Sequence, residues 1–156
     1  MKNLIKPILI LSIVALVFQN CGKYEEGPGF SLRSKSARID NLWVMEKEYE
    51  NGEEKELSPF NSYFFLELKK DGTGKSGNDE FKYTVSGAEL TMAASEINLV
   101  WELSENKEQI RTKYEGDSDW EIWVDIIRLT ENEMWLKYTE EDGSSTILYE
   151  LHYKTK

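Results

Sequence analysis

One histidine, one cysteine and an excess of carboxylates are the residues of this 156-residue chain that could do chemistry. His152 alternates with Leu151 and Tyr153 and is expected on the outward face of a strand, pointing to solvent. A Ser-His-acid relay needs a buried histidine beside a serine and a carboxylate, and nothing in the pattern supplies that. Glu46, Glu48 and Glu50 fall at alternate positions and read as one outward, solvated row. A glycosidase would need two acids inside a cleft with separated pKa values. Glu115, Asp117 and Asp119 crowd one loop and offer oxygen ligands of the kind calcium takes, yet without the ordered spacing of an EF-hand, so no metal is assigned. In "GTGKSG", Gly72 to Gly77, the residues Gly74-Lys75-Ser76 match the end of a phosphate-binding loop. Lys69 stands where that motif needs its first glycine, and a strand pattern follows where it needs a helix. A glycine-rich β-turn is expected instead. No catalytic residue and no cofactor are assigned, and the chain is read as non-enzymatic.

The cysteine has a different meaning. Lys2 and Lys6 precede an almost wholly apolar run from Pro7 to Phe18, the pattern of a secretory signal peptide. The run is shorter than the roughly 20 apolar residues a transmembrane helix requires. A lone cysteine in an exported chain cannot form an intramolecular disulfide. Val17-Phe18-Gln19-Asn20-Cys21 resembles a bacterial lipobox, in which cleavage before cysteine leaves a diacylglycerol thioether; Phe18 and Asn20 replace the commoner leucine and small residue, as in the relaxed lipoboxes of Bacteroidetes. Several acyl chains at about 0.8 kcal/mol per buried CH2 make a durable anchor at Cys21. The following Gly22-Lys23-Tyr24-Glu25-Glu26 resembles the lysine-plus-acidic tag of surface-displayed lipoproteins. It reads equally as a polar tether, continued by Gly27-Pro28-Gly29.

A formal net charge of -10 and a pI near 4.7 argue against nucleic-acid backbones as partners. The local exception is basic: Lys23, Arg33, Lys35 and Arg38 lie between the anchor and the first strand, placed either to meet anionic headgroups or to form a solvated, slightly helical lead-in. The organisation expected is a signal peptide over 1–20, a lipid-anchored tether and lead-in over 21–38, and one domain over 39–156.

From Leu42 the dominant signal is a period of two, broken every eight to twelve residues by turn residues, which predicts an antiparallel all-β domain. Trp43, Met45 and Tyr49 alternate with the glutamates up to Asn51-Gly52, a strong hairpin signal. A short strand follows near Glu53 to Leu57. Phe64, Leu66 and Leu68 make the next inward face, before Lys70-Asp71-Gly72-Thr73-Gly74. Phe81, Tyr83 and Val85 turn at Ser86-Gly87 into Leu90 and Met92. Ile97, Leu99, Trp101 and Leu103 alternate cleanly, followed by Ile110, Thr112 and Tyr114. Trp120 to Leu129 is partly apolar on both faces, so a bulge or two-sided cover is expected. Met134, Leu136 and Tyr138 pair with Ile147, Tyr149, Leu151 and Tyr153 in a final hairpin. Eight or nine strands joined mostly by short turns are expected to close into an up-and-down barrel, which removes exposed edges.

Asn41-Leu42-Trp43 resembles the Gly-x-Trp that opens the first strand of lipocalins. Together with "SLRSKSARIDNLW", "KKDGTG" and "IIRLTENEMWLKYTEEDG", it is similar to small lipocalin-like lipoproteins of Bacteroidetes. The resemblance implies a lipocalin-like barrel with Trp43 packed across one closed end, a short helical plug within Phe30 to Ile39, and no reaction. An eight-stranded barrel either fills with its own side chains or holds one small ligand. Tyr83, Trp101, Tyr114, Tyr138, Tyr149 and Tyr153 fall on expected inward faces, where they either line a binding mouth or fill the interior; so short a domain favours filling. The expected partners are the membrane, through the Cys21 lipid, and either a small apolar or amphipathic ligand or an envelope protein docked on an exposed patch that includes Trp120 or Trp123. A monomer is expected.

Overall fold

The computed structural model describes residues 33–143 and 145–156. The signal segment, Cys21, Lys23, the tether and Phe30 lie outside the described residues. The first element is a short helix, α1 (Lys35–Ile39), begun by Ser34, whose hydroxyl accepts from the Ala37 N–H at 3.2 Å. Its Arg38 and Ile39 are buried against the barrel, in the region assigned to the plug.

Eleven strands follow, with one more helical turn among them. They are β1 (Asn41–Glu50), β2 (Glu53–Lys55), α2 (Pro59–Tyr63), β3 (Phe64–Leu68), β4 (Thr73–Asn78), β5 (Phe81–Val85), β6 (Ala88–Met92), β7 (Ser95–Leu103), β8 (Gln109–Tyr114), β9 (Val124–Leu129), β10 (Glu133–Asp142) and β11 (Ser145–Thr155). Eight of them run antiparallel in the order β1, β3, β4, β7, β8, β9, β10, β11, and β11 pairs back onto β1, so the barrel closes. β2 is a ninth strand, paired only with the far end of β1 across the Asn51-Gly52 turn, where both residues take positive φ. The reading of an all-β, up-and-down meander closing into a barrel therefore holds, with two departures inside it.

The first departure is β4. The glycine-rich stretch expected as a turn is a strand, and only Lys69 to Gly72 turn. A Cβ on Gly74 would lie 2.3 Å from the Glu67 carbonyl oxygen, and one on Gly77 2.0 Å from that of Ser95. The glycines are there because the flanking strands approach β4 too closely for a side chain. The second departure is β5–β6, which leaves the barrel as a separate two-stranded hairpin between β4 and β7.

One end of the barrel is packed shut. Trp43, Ile39, Leu68, Leu129 and Met134 are fully buried there. The Trp43 indole N–H donates to the Ile39 carbonyl at 2.9 Å, tying helix to barrel. Arg38 is buried with them, and one guanidinium nitrogen donates to the Leu129 carbonyl at 2.8 Å. The Trp101 indole N–H is shared between the carbonyls of Lys69 and Thr73, at 3.0 and 3.1 Å, which fixes the β3–β4 turn to the same end. The longer connections, including α2, the β5–β6 hairpin and the loop after β8, all gather at the other end.

Candidate functional site

β1 carries a bulge whose consequence reaches the interior. Its register against β11 slips between Met45 and Lys47, so Met45 faces Tyr153 but Glu48 faces Leu151 and Glu50 faces Tyr149. Partners across an antiparallel pair share a face. Because Leu151 and Tyr153 point inward, Glu48 and Glu50 do too, and Tyr49 is turned outward. This corrects the outward glutamate row: the extra residue that a bulge inserts inverts the alternation beyond it.

At the wide end the barrel holds an open cavity of about 710 Å3. Its walls are apolar, from Phe64, Leu66, Ile110, Val124, Leu136 and Leu151; Tyr114, Tyr138 and Tyr153 add hydroxyl groups; Glu121, Glu140 and Glu141 stand at its edge. That combination of apolar wall and few polar groups is the usual character of a small-molecule site. The barrel is filled at one end and hollow at the other, so the expectation of a filled interior is corrected for this half. Aromatic bulk is concentrated around Trp43 and Trp101, leaving the upper half to leucines and tyrosines.

The six aromatic candidates divide. Tyr114, Tyr138 and Tyr153 border the cavity. Tyr149 stacks on Tyr138, with ring centroids 5.2 Å apart, and supports it from beside. Trp101 is buried in the core cluster and does not border the cavity, because its indole is held down by the Lys69 and Thr73 carbonyls. Tyr83 lies on the excluded β5–β6 hairpin, where its ring tilts against Phe81. Neither belongs to the cavity wall. Glu48 was concealed by the bulge, and its carboxylate accepts from the Asn61 side-chain amide of α2 at 2.9 Å.

Burial raises the Tyr138 hydroxyl from its ordinary 10.0 to about 12, with the Glu140 carboxylate, Tyr149 and Glu48 adding to the rise. Burial likewise raises Tyr153, assisted by Tyr114, Tyr138 and Glu48. Both hydroxyls are therefore protonated donors at neutral pH.

His152 does not point to solvent. It is on the outer face, as its alternation requires, but it is only 8% exposed. Its ring stacks on Trp135 at 3.9 Å and meets Tyr49 at 5.0 Å, while Nε2 contacts Glu150 at 2.6 Å. The Arg128 guanidinium lies 4.8 Å over the far side of Trp135. Four strands thus contribute one continuous outer stack, and the turned-out Tyr49 completes it. These contacts are those of a packed side chain, not of a relay.

The acidic loop makes local contacts: Glu115 accepts from the Asn98 side-chain amide and Asp119 from the Ser118 hydroxyl. Among the described residues no group of three or more histidine, cysteine or acidic side chains is arranged to hold a metal ion. Trp120 and Trp123 flank the Arg111 guanidinium, at 4.8 and 4.3 Å, and Trp123 remains partly exposed on the outer surface.

No family model matches the chain, and no curated protein matches it. Among solved structures it is similar to bovine odorant binding protein with its natural ligand, at 14% identity and a TM-score of 0.43 over 81% of this chain and 77% of that one. It is similar as well to a deswapped triple mutant of the bovine protein, at 15% identity and a TM-score of 0.42 over 76% and 74% of the two chains. A complex of bovine odorant binding protein with a selenium-containing odorant matches at 14% identity and a TM-score of 0.43, over 81% and 76%.

Proposed function

We propose that this protein is a non-enzymatic envelope lipoprotein of the Bacteroidetes lipocalin-like kind, which binds a small apolar or amphipathic molecule in the cavity at the open end of its barrel. The observation that carries the binding role is the cavity of about 710 Å3, walled by Leu66, Ile110, Leu136 and Leu151 and supplied with two protonated tyrosine hydroxyls. A barrel that served only as a packed interaction module would have no reason to leave that volume unfilled, since voids forfeit packing energy.

The anchoring role rests on the sequence: the charged start, the short apolar run and Cys21 at its end. Lipid attachment at Cys21 would hold the domain at the outer membrane, facing either the periplasm or the exterior. α1 packs on the closed end, and the cavity opens on the opposite side.

Two measurements test the proposal. Titration with the neutral fluorophore N-phenyl-1-naphthylamine should show saturable, blue-shifted emission at about one probe per chain; a signal that rises without saturating would overturn the binding role. Labelled palmitate should enter the wild type and not Cys21→Ala, which should leave the membrane fraction. Equal labelling of both would overturn the anchor.

A further inference from the structure

The ligand class can be narrowed by charge, on the assumption that the cavity is indeed a ligand site. Three carboxylates border the cavity, and a fourth, Glu48, faces the interior outside its lining. Glu140 lines the cavity and shares the face of Tyr138, two residues along the same strand. Glu48 is turned in by the bulge, opposite Leu151, and is held by the neutral amide of Asn61. Glu121 and Glu141 add negative charge at the edge.

The neighbouring cations are already engaged. Arg111, which itself borders the cavity, is bound to Glu102 and stacked between Trp120 and Trp123. Lys55, which pairs with Glu48 across β1 and β2, reaches Glu53 at 3.2 Å and Glu50 at 3.7 Å. Among the described residues no lysine or arginine forms an ion pair with Glu48, Glu121, Glu140 or Glu141. A fatty-acid carboxylate placed here would meet like charge, whereas an ammonium would find acceptors at the end of an apolar wall.

We propose that the cavity selects cationic amphiphiles: molecules with an apolar body, seated against Leu66, Leu136 and Leu151, and a protonated amine held at the edge by Glu140 with Glu121 and Glu141. The Tyr138 hydroxyl would then order the polar end of the site by donating to an edge carboxylate or to a ligand oxygen.

The test is competition on the full chain at neutral pH, with N-phenyl-1-naphthylamine as reporter and decylamine, decanol and decanoate as competitors below their aggregation limits. Decylamine should displace the probe at about tenfold lower concentration than decanol, the size of one charge-assisted hydrogen bond, and decanoate should be weakest. Glu121→Gln with Glu140→Gln should abolish the advantage of decylamine over decanol, both read on the variant itself, while cooperative urea unfolding is retained, a selective loss that misfolding would not give. Decanol or decanoate competing as well as decylamine, or an amine advantage that survives the double substitution, would overturn the inference while leaving the binding role intact. Failure of the probe itself to bind would remove both.

Discussion

Glu48 stands directly across from Leu151, inside the barrel, while Glu46 two residues earlier is on the outer surface and pairs with Lys154 at 3.0 Å. A single bulge separates the two environments. Substitution by leucine should tell them apart. Glu48→Leu places an apolar side chain beside Leu151 and should leave stability unchanged or raise it by up to about 1 kcal/mol. Glu46→Leu forfeits an exposed ion pair and gains no burial, so it should lower stability by up to about 0.5 kcal/mol. Urea unfolding of the two variants decides; the same sign for both would contradict the inversion.

Alkaline titration should show tyrosines of two kinds. Tyr138 has its folded pKa raised to about 12 from 10.0, so folding favours the protonated form. Its contribution to stability is complete below pH about 10 and is lost as the pH climbs toward about 12, because the unfolded chain gives up the proton first. Absorbance of tyrosinate should therefore rise in an early and a late step, and Tyr138→Phe should shrink the late one. A single step at the ordinary value would show that the cavity is wetter than its lining implies.

Gly77 should be among the least replaceable residues. Its Cβ would fall 2.0 Å from the Ser95 carbonyl and 2.9 Å from the Glu96 Cα, both backbone atoms of a paired strand. Gly77→Ala should cost about 3 kcal/mol or more, or prevent folding, by parting β4 from β7. Gly116→Ala is the control: nothing lies within 4 Å of its Cβ position, so only its positive φ opposes the change, at about 1 kcal/mol. Thermal unfolding should rank the two in that order, and equal losses would contradict the close approach.

What the sequence made legible follows from what periodicity records. Leu99, Trp101 and Leu103 alternate over an unbroken strand, Asn51-Gly52 demands positive φ, and Trp43 opens the first strand, so the barrel class could be read directly. Periodicity cannot register an inserted residue, and hence Glu48, Glu50 and Tyr49 were assigned to the wrong faces. It cannot distinguish an outward face from an exposed one, and His152 is outward yet covered by Trp135 and Tyr49. Nor does it reveal whether a hairpin belongs to the barrel: Tyr83 alternates as well as any wall residue but sits on β5, which pairs only with β6. Glycines at 74 and 77 suppress a strand signal where the reason for them is the neighbouring backbone. The cavity lining was partly legible, since Phe64, Tyr114, Tyr138 and Tyr153 keep the interior register, whereas Glu121 enters from the loop after β8, whose position depends on the closed barrel.

The most direct measurement is probe binding by a variant in which the cavity is filled from within. Leu151→Trp projects an indole into the space bordered by Leu136 and Tyr138, on a strand held on both sides by β10 and β1. If ligands occupy the barrel mouth, N-phenyl-1-naphthylamine affinity should fall at least about tenfold relative to wild type while cooperative unfolding is retained. Unchanged affinity in a folded Leu151→Trp protein would place the bound probe elsewhere and contradict the cavity as the binding site.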